Sequence, residues 1–443
     1  MVVEQLRRKE LIIPILLGIL FSVLYPILPF KYFGAAFLGI IGVVLVLYDV
    51  KIGLMAGVFL LPFLPDMLNL LFMFFLLAVF VFNNIVKDVN PLTKGKIDMP
   101  VILYLIIITL STITSISPTD SLRDLALHMG GLSFLFVMVN TVKNKKDFNI
   151  IVTVLVFTAT LVALYGLYQY VVGVEIEAAW VDLENNPGMR TRVYSVFNNP
   201  NILAEYLVMI IPLSVSLFWF SKKLSKKIIF LGVTLIMVLA LVLTQSRGGW
   251  LGFAFSALVF IVLVEKRLLL TLIPISVSGI FLLPDSIMNR ILSIGNLADS
   301  SNAYRITMWE ITMDIIRDHW VAGVGFGHLP FKQTFETYIR TMPTFHAHNT
   351  YLQQAAEMGI PGLVAFLLFL FVLFKYGIKT LVKQDDKYIR VMAAGVLAGL
   401  GGVLFHGLVE NVLYLPRIII TFWIMVSLIL TLFRIRSKEN EIS

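Results

Sequence analysis

The sequence predicts an all-α fold, a polytopic membrane helical bundle of about 12–14 transmembrane helices with a helical extracytoplasmic loop. Of the 443 residues, 58% are hydrophobic and only 14% are charged, and the mean hydropathy is +0.90. Soluble domains have roughly 25% charged residues, so this chain cannot bury its apolar surface in a water-soluble core. The apolar runs are continuous and about 20 residues long, which suits membrane helices rather than the alternating strands of a membrane barrel.

Fourteen apolar segments are the candidate spans. The first follows Arg7, Arg8 and Lys9 and is too long for a cleaved signal peptide, so we expect a retained helix. The segments lie at residues 11–30, 33–49, 52–65, 66–86, 99–117, 121–142, 148–173, 199–221, 228–244, 248–264, 267–284, 349–374, 389–410 and 412–433.

The basic residues alternate with the spans as expected for a protein with both termini in the cytoplasm. This topology places 24 of the 35 lysines and arginines in inner loops and leaves 11 outside, nine of which are arginine. The net charge of +8 therefore reflects membrane topology. We expect a multi-pass protein of the cytoplasmic (inner) membrane that does not bind nucleic acid.

The spans predict a single integral membrane domain over residues 1–443 with two outer loops long enough to fold. The first loop covers residues 174–198, and the second and larger covers residues 285–348. The candidate functional residues lie in these loops and at the adjacent helix ends, so we expect the active site on the extracytoplasmic side.

The larger loop contains a pattern that predicts an amphipathic helix. Ser301 or Asn302 is a candidate cap at its start, and Arg305 lies in its first turn. The residues of the predicted apolar face are Ile306, Trp309, Met313 and Ile316.

The segment Ala322–Gly327 has alternating glycines. No strand precedes it, so it does not match a nucleotide-binding loop. We expect a turn in which two backbone segments pack closely.

Arginines and histidines are the main candidates for chemistry. Four outer arginines lie near predicted membrane boundaries, where each can pair with a loop acid or bind phosphate through its planar guanidinium. They are Arg192, Arg247, Arg305 and Arg417. All six histidines fall on the outer side or in outer halves of helices: His128, His319, His328, His346, His348 and His406.

The chain has no cysteine, which excludes disulfides, thiol catalysis and thiolate metal sites. The pair His346-x-His348 can form half of a metal site, but no Asp-x-Asp pair lies near it in the sequence. A hydrogen-bonded histidine is the simpler interpretation of His346, and we expect neither a metal ion nor another cofactor.

Further polar residues lie at the same predicted boundary. Asn199 or Asn201 can cap the eighth span, whose N-terminal N–H groups favour an anion, and Glu205 lies one turn inside. His406 and Glu410 are four residues apart on one predicted helix face, where they can line a functional cavity or form a structural pair. With the arginines and His348, these residues suit a substrate with a lipid tail and a phosphate-rich head.

Three motifs resemble the O-antigen ligase superfamily, which includes O-antigen ligases, O-antigen-type polymerases and some protein O-oligosaccharyltransferases. His348-Asn349 is followed after nine residues by Gly359-Ile360-Pro361-Gly362. Upstream of it, Phe197-x-x-Pro200-Asn201 and Ser246-Arg247-Gly248 match recurring patterns of the superfamily in the same order. The resemblance covers roughly residues 190–370.

The resemblance implies a GT-C-like membrane glycosyltransferase that uses a polyprenyl-pyrophosphate-linked oligosaccharide and inverts the anomeric carbon without a metal. It implies that Arg247 and Arg305 hold the pyrophosphate and that His348 is the general base. The expected substrate-binding residues are Arg192, Asn201, Glu205, His346, Asn349, His406, Glu410 and Arg417. The expected partners are the lipid-linked donor, a glycan or lipid acceptor and membrane lipids.

Two alternatives stay open at this point. An O-antigen or exopolysaccharide-type polymerase would join repeat units to one another with the same donor chemistry. A transporter or flippase of a lipid-linked sugar would need the arginines but not the histidine, with broken helices in the middle of the membrane.

Overall fold

Every regular element among the described residues is a helix, which confirms the predicted all-α class. The computed structural model describes residue 18 and residues 29–88, 98–174, 191–270, 285–295, 300–342, 344–383 and 385–442. The chain divides into two compact units, residues 1–53 and 54–443. The first contains α1 (Phe30–Tyr48) and the start of α2 (Val50–Leu60), and the second contains the candidate site. The prediction of one domain over the whole chain stays a prediction.

Nine helices of the described ranges are long and apolar enough to cross a membrane, which confirms a multi-pass membrane protein. α1, α2 and α4 (Asp98–Ile113) are shorter apolar candidates. Twelve of the fourteen predicted spans therefore correspond to helices, while most of span 11–30 and most of span 267–284 lie outside the described residues. The nine long helices are α3 (Asp66–Val86), α5 (Pro118–Thr141), α6 (Lys145–Val172), α7 (Pro200–Phe220), α8 (Leu224–Leu243), α9 (Arg247–Val264), α13 (Thr350–Tyr376), α14 (Lys387–His406) and α15 (Pro416–Ile442).

The core of the second unit is formed by α7, α14 and α15, which are mostly buried. α14 packs against both α7 and α9, and α15 packs against α5. Small residues allow these close approaches, because a Cβ on Gly252 of α9 would lie 2.7 Å from the carbonyl oxygen of Gly402 in α14. Close packing of small residues is typical of helix pairs in membranes, where van der Waals contact is the main attraction.

The described residues of segment 285–348 form three α-helices, as expected of a helical loop. They are α10 (Asp285–Leu292), α11 (Ser300–Asp318) and α12 (His328–Tyr338). α11 is the predicted amphipathic helix, but it begins at Ser300, so neither Ser301 nor Asn302 is its cap.

The apolar face of α11 is also rotated from the predicted one. Met313 is 48% exposed, whereas the residues that are buried are Met308, Thr312, Ile315 and Ile316. The difference arises because α11 also borders a cavity, which Ile306 and Trp309 line. Trp309 is partly buried and also packs against the core that contains Met308 and Ile315.

α13 is broken at Gly359, which has non-helical φ and ψ of 71° and 179°. Pro361 has no N–H, so the carbonyl of Glu357 loses its helical partner. The N–H of Ile360 turns away and donates to the carbonyl of Trp320 at 2.7 Å, which releases the carbonyl of Ala356 as well. Two buried carbonyls of a membrane helix therefore need donors from elsewhere in the fold.

The segment with the alternating glycines supplies those donors. The N–H groups of Val324 and Gly325 donate to the carbonyls of Ala356 and Glu357 at 2.9 and 3.1 Å, and the hydroxyl of Ser111 donates to Glu357 at 2.8 Å. Gly323 has φ of +71°, and a Cβ there would overlap the backbone of Glu357. The predicted close backbone contact is confirmed, and it attaches the segment between α11 and α12 to the break in α13.

We expect Gly323→Ala to destabilise the protein by roughly 3 kcal/mol or more, because the new methyl group would be forced into backbone at a positive φ. Thermal unfolding in detergent would measure the change. Gly232→Ala is the matched control: Gly232 lies in α8, and no atom lies within 4 Å of the position that its new methyl group would take. This change should be neutral or stabilise by up to about 1 kcal/mol. Equal effects of the two substitutions would contradict the account.

Candidate active site

A cavity of about 940 Å³ lies at the ends of α7, α9 and α14, and it is bordered by α10 and α11. This volume is at the upper end of the range for small-molecule sites. Nine of the eleven predicted site residues line it: Arg192, Asn201, Glu205, Arg247, Arg305, His346, His348, His406 and Glu410. Residues far apart in sequence therefore converge on one space.

His348 is held in an unusual backbone conformation. Its φ is +47°, a left-handed value that costs a non-glycine residue about 1–3 kcal/mol. Both of its backbone polar groups are satisfied, because its N–H donates to Nδ1 of His346 at 3.2 Å and its carbonyl accepts from Nε1 of Trp309 at 3.3 Å. Strain that is compensated in this way is typical of a functional position.

Glu410 reaches His348 because its loop is bound to the start of α13. α14 ends at His406, so His406 and Glu410 do not share a helix face, contrary to the prediction from their spacing. Thr350 provides the connection: its N–H donates to the carbonyls of Gly407 and Glu410 at 2.8 and 3.1 Å, and its hydroxyl donates to Glu410 at 3.0 Å. The pairing of Glu410 with His348 is a tertiary contact between two loops.

The carboxylate of Glu410 joins the histidines to the arginines. Oε1 lies 2.7 Å from Nδ1 of His348, while Oε2 accepts from Nδ2 of Asn201 at 3.1 Å and lies 3.7 Å from Nη2 of Arg305. Burial alone would raise the pKa of Glu410, but the charge and hydrogen bond of His348 and the charge of Arg305 hold that pKa well below its ordinary value. An ionised carboxylate only accepts, so Nδ1 of His348 carries the proton and Nε2 is the atom that can accept one.

His346 is neutral in this arrangement. Its Nδ1 accepts the N–H of His348, so the proton of the neutral ring is on Nε2. Burial, with a further contribution from neighbouring His348, lowers the pKa of His346 to about 3. His346 therefore supports the backbone of His348, which fits the interpretation of a hydrogen-bonded histidine.

Four guanidinium groups meet at the cavity: Arg192, Arg247, Arg290 and Arg305. Burial and the charges of the other three arginines lower the pKa of Arg192 to about 9. Among the described lining residues, only Glu205 and Glu410 are acids. This excess of arginines over acids favours an anionic ligand.

Arg290 was not among the predicted site residues. It is 5% exposed, and its Nε donates to the carbonyl of Gln245 at 3.3 Å. The sequence offered one indication of Arg290, which is its residue type: most of the basic residues predicted on the outer side are arginines. Nothing in its local sequence separates it from Arg317, which is exposed on α11 and paired with Asp314.

Arg247 and Arg305 have different surroundings. Nη1 of Arg247 donates to the carbonyl and hydroxyl of Ser293 at 2.9 and 3.1 Å, which connects α9 to the turn after α10. Nη1 of Arg305 donates to the hydroxyl of Ser301 at 2.9 Å, and its Nε is buried without a hydrogen-bond partner among the described residues. Arg305 thus retains a donor that the described residues do not use.

Two helix N-termini add partial positive charge. Asn199 caps α7 by accepting the N–H of Asn201 at 2.8 Å, and Ser246 caps α9 by accepting the N–H of Gly249 at 3.3 Å. Both caps line the cavity. Helix N-termini attract anions, so they reinforce the effect of the arginines.

His406 and Glu205 line the cavity from buried helix positions. A Cβ on Gly248 would lie 2.5 Å from the ring of His406, so the glycine makes room for the imidazole. Nδ1 of His406 is buried without a hydrogen-bond partner among the residues that the structure describes. Its ring thus has an unused polar atom at the cavity wall.

Asn349 and Arg417 do not line the cavity. Asn349 caps α13 by accepting the N–H groups of Tyr351 and Leu352, and it donates to the carbonyl of Leu408 at 2.8 Å. Arg417 donates to Asp66 at 3.2 Å and to the carbonyl of Val196 at 2.8 Å. These contacts are structural, and the predicted roles in substrate binding stay predictions.

His346, His348 and Glu410 form a group that can hold a metal ion, since each offers a ligand atom and these atoms lie within 4.8 Å of one another. Two imidazoles and a carboxylate suit zinc and similar ions. In the described structure Nδ1 of His346 accepts the backbone N–H of His348, and Nδ1 of His348 donates to Glu410. A metal would have to replace these bonds, and the expectation of a metal-free site stays a prediction.

Residues 232–367 match the family model described as O-antigen ligase. The predicted resemblance to the O-antigen ligase and polymerase superfamily is confirmed. The matched segment contains Arg247, Arg305 and His348, whereas Arg192 and Glu410 lie outside it.

Two further similarities cover other lengths of the chain. An uncharacterized protein of Haemophilus influenzae is 28% identical over 193 residues, which are 38% of this chain and 48% of that protein, so the match spans about half of the relative's length. A chain from a solved peptidoglycan synthase complex aligns with a TM-score of 0.44 and 16% identity, covering 76% of this chain and 97% of that one.

We expect the stability of the folded protein to fall as the pH falls from about 6.5 towards 3, in part because of His346. A histidine of the unfolded chain has a pKa of about 6.5. Within this window unfolding takes up a proton at His346, so the free energy of unfolding decreases with decreasing pH. In His346→Asn the amide oxygen can accept the N–H of His348 but does not titrate, so the decrease should be less steep.

Thermal unfolding in detergent between about pH 7 and pH 4 would test this expectation. Glu410 is common to both proteins, so its protonation contributes to both curves. Parallel curves for wild type and His346→Asn would show that His346 does not have the lowered pKa.

Proposed function

We propose that the protein transfers a glycan from a polyprenyl-pyrophosphate carrier to an acceptor hydroxyl at the outer face of the cytoplasmic membrane. The observation that carries the proposal is the His348–Glu410 pair in a cavity with four arginines, and the match of residues 232–367 to the family model described as O-antigen ligase supports it. The pair provides a base, and the arginines suit the charge of a diphosphate leaving group.

The proposed reaction begins at Nε2 of His348. This atom removes the proton of the acceptor hydroxyl as the oxygen attacks the anomeric carbon of the donor sugar. Glu410, which accepts the hydrogen bond from Nδ1, stabilises the imidazolium that results. The same hydrogen bond keeps the ring in the tautomer that the step requires.

The leaving group departs as the new bond forms. The bond between the anomeric carbon and the pyrophosphate oxygen breaks, and its electron pair goes to the polyprenyl pyrophosphate. Arg247 and Arg305 stabilise this growing negative charge with several donors in a fixed geometry. Attack opposite the leaving group inverts the anomeric centre, and the proton on His348 passes to solvent afterwards.

Aliphatic side chains next to the arginines support a lipid-linked donor. Leu251 lies one turn after Arg247 in α9, and Ile294 follows Ser293, which Arg247 contacts. Ile202 follows Asn201 at the start of α7. The arginine region thus has an apolar border that suits an isoprenoid chain.

An O-antigen ligase-like transfer to a terminal acceptor is the proposed reaction, and polymerisation of repeat units is the alternative. Both use the same donor and the same proton transfer. They differ only in the acceptor, so the size of the product separates them.

We expect Arg247→Lys and Arg305→Lys each to lower transfer by about 10²-fold, because lysine retains the charge but loses the planar pair of donors. Arg317→Lys is the matched control, since Arg317 lies exposed on the same helix as Arg305 and pairs with Asp314. The measurement is release of polyprenyl pyrophosphate from a lipid-linked oligosaccharide by purified protein in detergent. Full activity of both site variants would contradict the assignment.

The same assay with His348→Ala and with a chelator completes the test. We expect His348→Ala to lose about 10²–10⁴-fold in rate and the chelator to have no effect on wild type. Loss of wild-type activity with chelator, restored by added metal, would instead support a metal held by His346, His348 and Glu410. Tight binding of the donor without release of polyprenyl pyrophosphate, whichever acceptor is supplied, would favour the transporter.

Glu410→Gln should lower the turnover number by about 10²-fold with little change in the apparent affinity for the donor, because the neutral amide stabilises the imidazolium less well. Glu310→Gln is the control, since Glu310 is an exposed acid on α11. Steady-state rates at several donor concentrations separate the two parameters. A rise in KM alone would indicate that Glu410 acts in donor binding instead.

A further inference from the structure

The cavity has two chemically different sides, and the carboxylate of Glu410 lies between them. Its Oε2 contacts Asn201 and Arg305, and Asn201 in turn accepts from Nη2 of Arg192 at 3.2 Å. Its Oε1 contacts His348. Arg305 and, through Asn201, Arg192 therefore lie on the Oε2 side.

The Oε1 side is aromatic. The ring of Tyr414 lies 4.6 Å from the ring of His346, and the ring of Tyr304 lies 5.9 Å from that of His348 at a steep angle. Nε1 of Trp309 donates to the carbonyl of His348, so its indole also lies beside the histidines. All three aromatic residues line the cavity.

Phe345 completes this side. It precedes His346 in the chain, lines the cavity and is 56% exposed. Nζ of Lys332, on α12, lies 4.8 Å from the centre of its ring. A cation at this distance attracts the ring, which holds an exposed phenylalanine in place.

An aromatic lining is not what the diphosphate or the isoprenoid chain of the donor requires. A diphosphate binds guanidinium and helix N-termini, and an isoprenoid chain needs only aliphatic contact. A sugar ring is different, because its faces present C–H groups while its rim presents hydroxyls. Aromatic faces carry partial negative charge and attract such C–H groups, and tyrosine and tryptophan add polar atoms for the rim.

Resting on the proposed function, we propose that Tyr304, Trp309, Phe345 and Tyr414 form a carbohydrate subsite that binds the acceptor sugar, with the exposed ring of Phe345 as its stacking platform. The acceptor then approaches His348 from the aromatic side, and the donor occupies the arginine side. Separate binding sides would keep the acceptor hydroxyl next to His348 and the anomeric carbon of the donor opposite it, so that the two substrates do not compete for one place.

The test measures binding separately from catalysis. The probe is a soluble oligosaccharide, without lipid or diphosphate, prepared by partial hydrolysis of the envelope polysaccharide of the organism that makes this protein. Its Kd for the full chain in detergent is measured by calorimetry. We expect Phe345→Leu, which keeps an apolar side chain but removes the flat ring, to weaken binding about 10-fold, and Phe345→Trp to bind as wild type does.

Trp320→Leu is the matched control. Trp320 is 59% exposed in the segment between α11 and α12 and does not line the cavity, so its replacement should leave the Kd unchanged. Binding of polyprenyl pyrophosphate should also be unchanged in Phe345→Leu. An unchanged oligosaccharide Kd in Phe345→Leu would overturn the subsite, and so would an equal loss of polyprenyl pyrophosphate binding.

A second arm identifies the carrier of the sugar. The same oligosaccharide attached to a lipid is measured in parallel with a sugar-free lipid. An equal loss for free and lipid-attached oligosaccharide in Phe345→Leu supports recognition of the sugar itself. A loss with the sugar-free lipid would overturn the proposal, because the aromatic side would then bind a lipid tail.

The outcomes for the subsite and for the proposed function are distinguishable. Oligosaccharide binding that depends on Phe345, without release of polyprenyl pyrophosphate, would retain the subsite and refute the transferase. Transfer that depends on His348 but shows the same acceptor KM in wild type and Phe345→Leu would retain the transferase and refute the subsite.

Discussion

The buried carboxylate of Glu410 is the interaction on which the site depends. It receives contacts from α7 through Asn201, from α11 through Arg305 and from the loop before α13 through His348. A buried charge is costly unless it is paired and hydrogen-bonded, so each of these elements contributes to a state that none could support alone. The same contacts orient the imidazole, which makes the geometry of the base a consequence of tertiary packing.

The break in α13 fixes the position of the segment between α11 and α12. Gly359 and Pro361 release two carbonyls, and the backbone of Val324 and Gly325 satisfies them. Because unpaired carbonyls are expensive in an apolar environment, the helix break requires the segment between α11 and α12 to stay docked. α11 brings Arg305, Tyr304 and Trp309 to the cavity, so a requirement of backbone hydrogen bonding positions side chains for chemistry.

The lining of the cavity has more basic than acidic side chains. Arg192, Arg247, Arg290 and Arg305 lie close enough to lower the pKa of Arg192, and Glu205 and Glu410 are the described acids among the lining residues. Like charges at short range repel each other strongly in a protein interior. A ligand with two or more negative charges relieves that repulsion, and helix N-termini at Asn199 and Ser246 act in the same direction.

The sequence by itself determined the class of the fold, because uninterrupted apolar runs in a chain with few charges are stable only as membrane helices. It also indicated Arg247, Arg305 and His348, because arginine and histidine are concentrated near the predicted outer helix ends and the motifs around these residues resemble the O-antigen ligase superfamily. Only the tertiary structure decided which residues meet. Arg290 lines the cavity without any local pattern that distinguishes it, while Glu410 was predicted to share a helix face with His406 and instead pairs with His348 beyond the end of α14. Hydropathy and spacing describe one element at a time, whereas loop direction, helix rotation and side-chain pairing depend on what the rest of the chain places opposite.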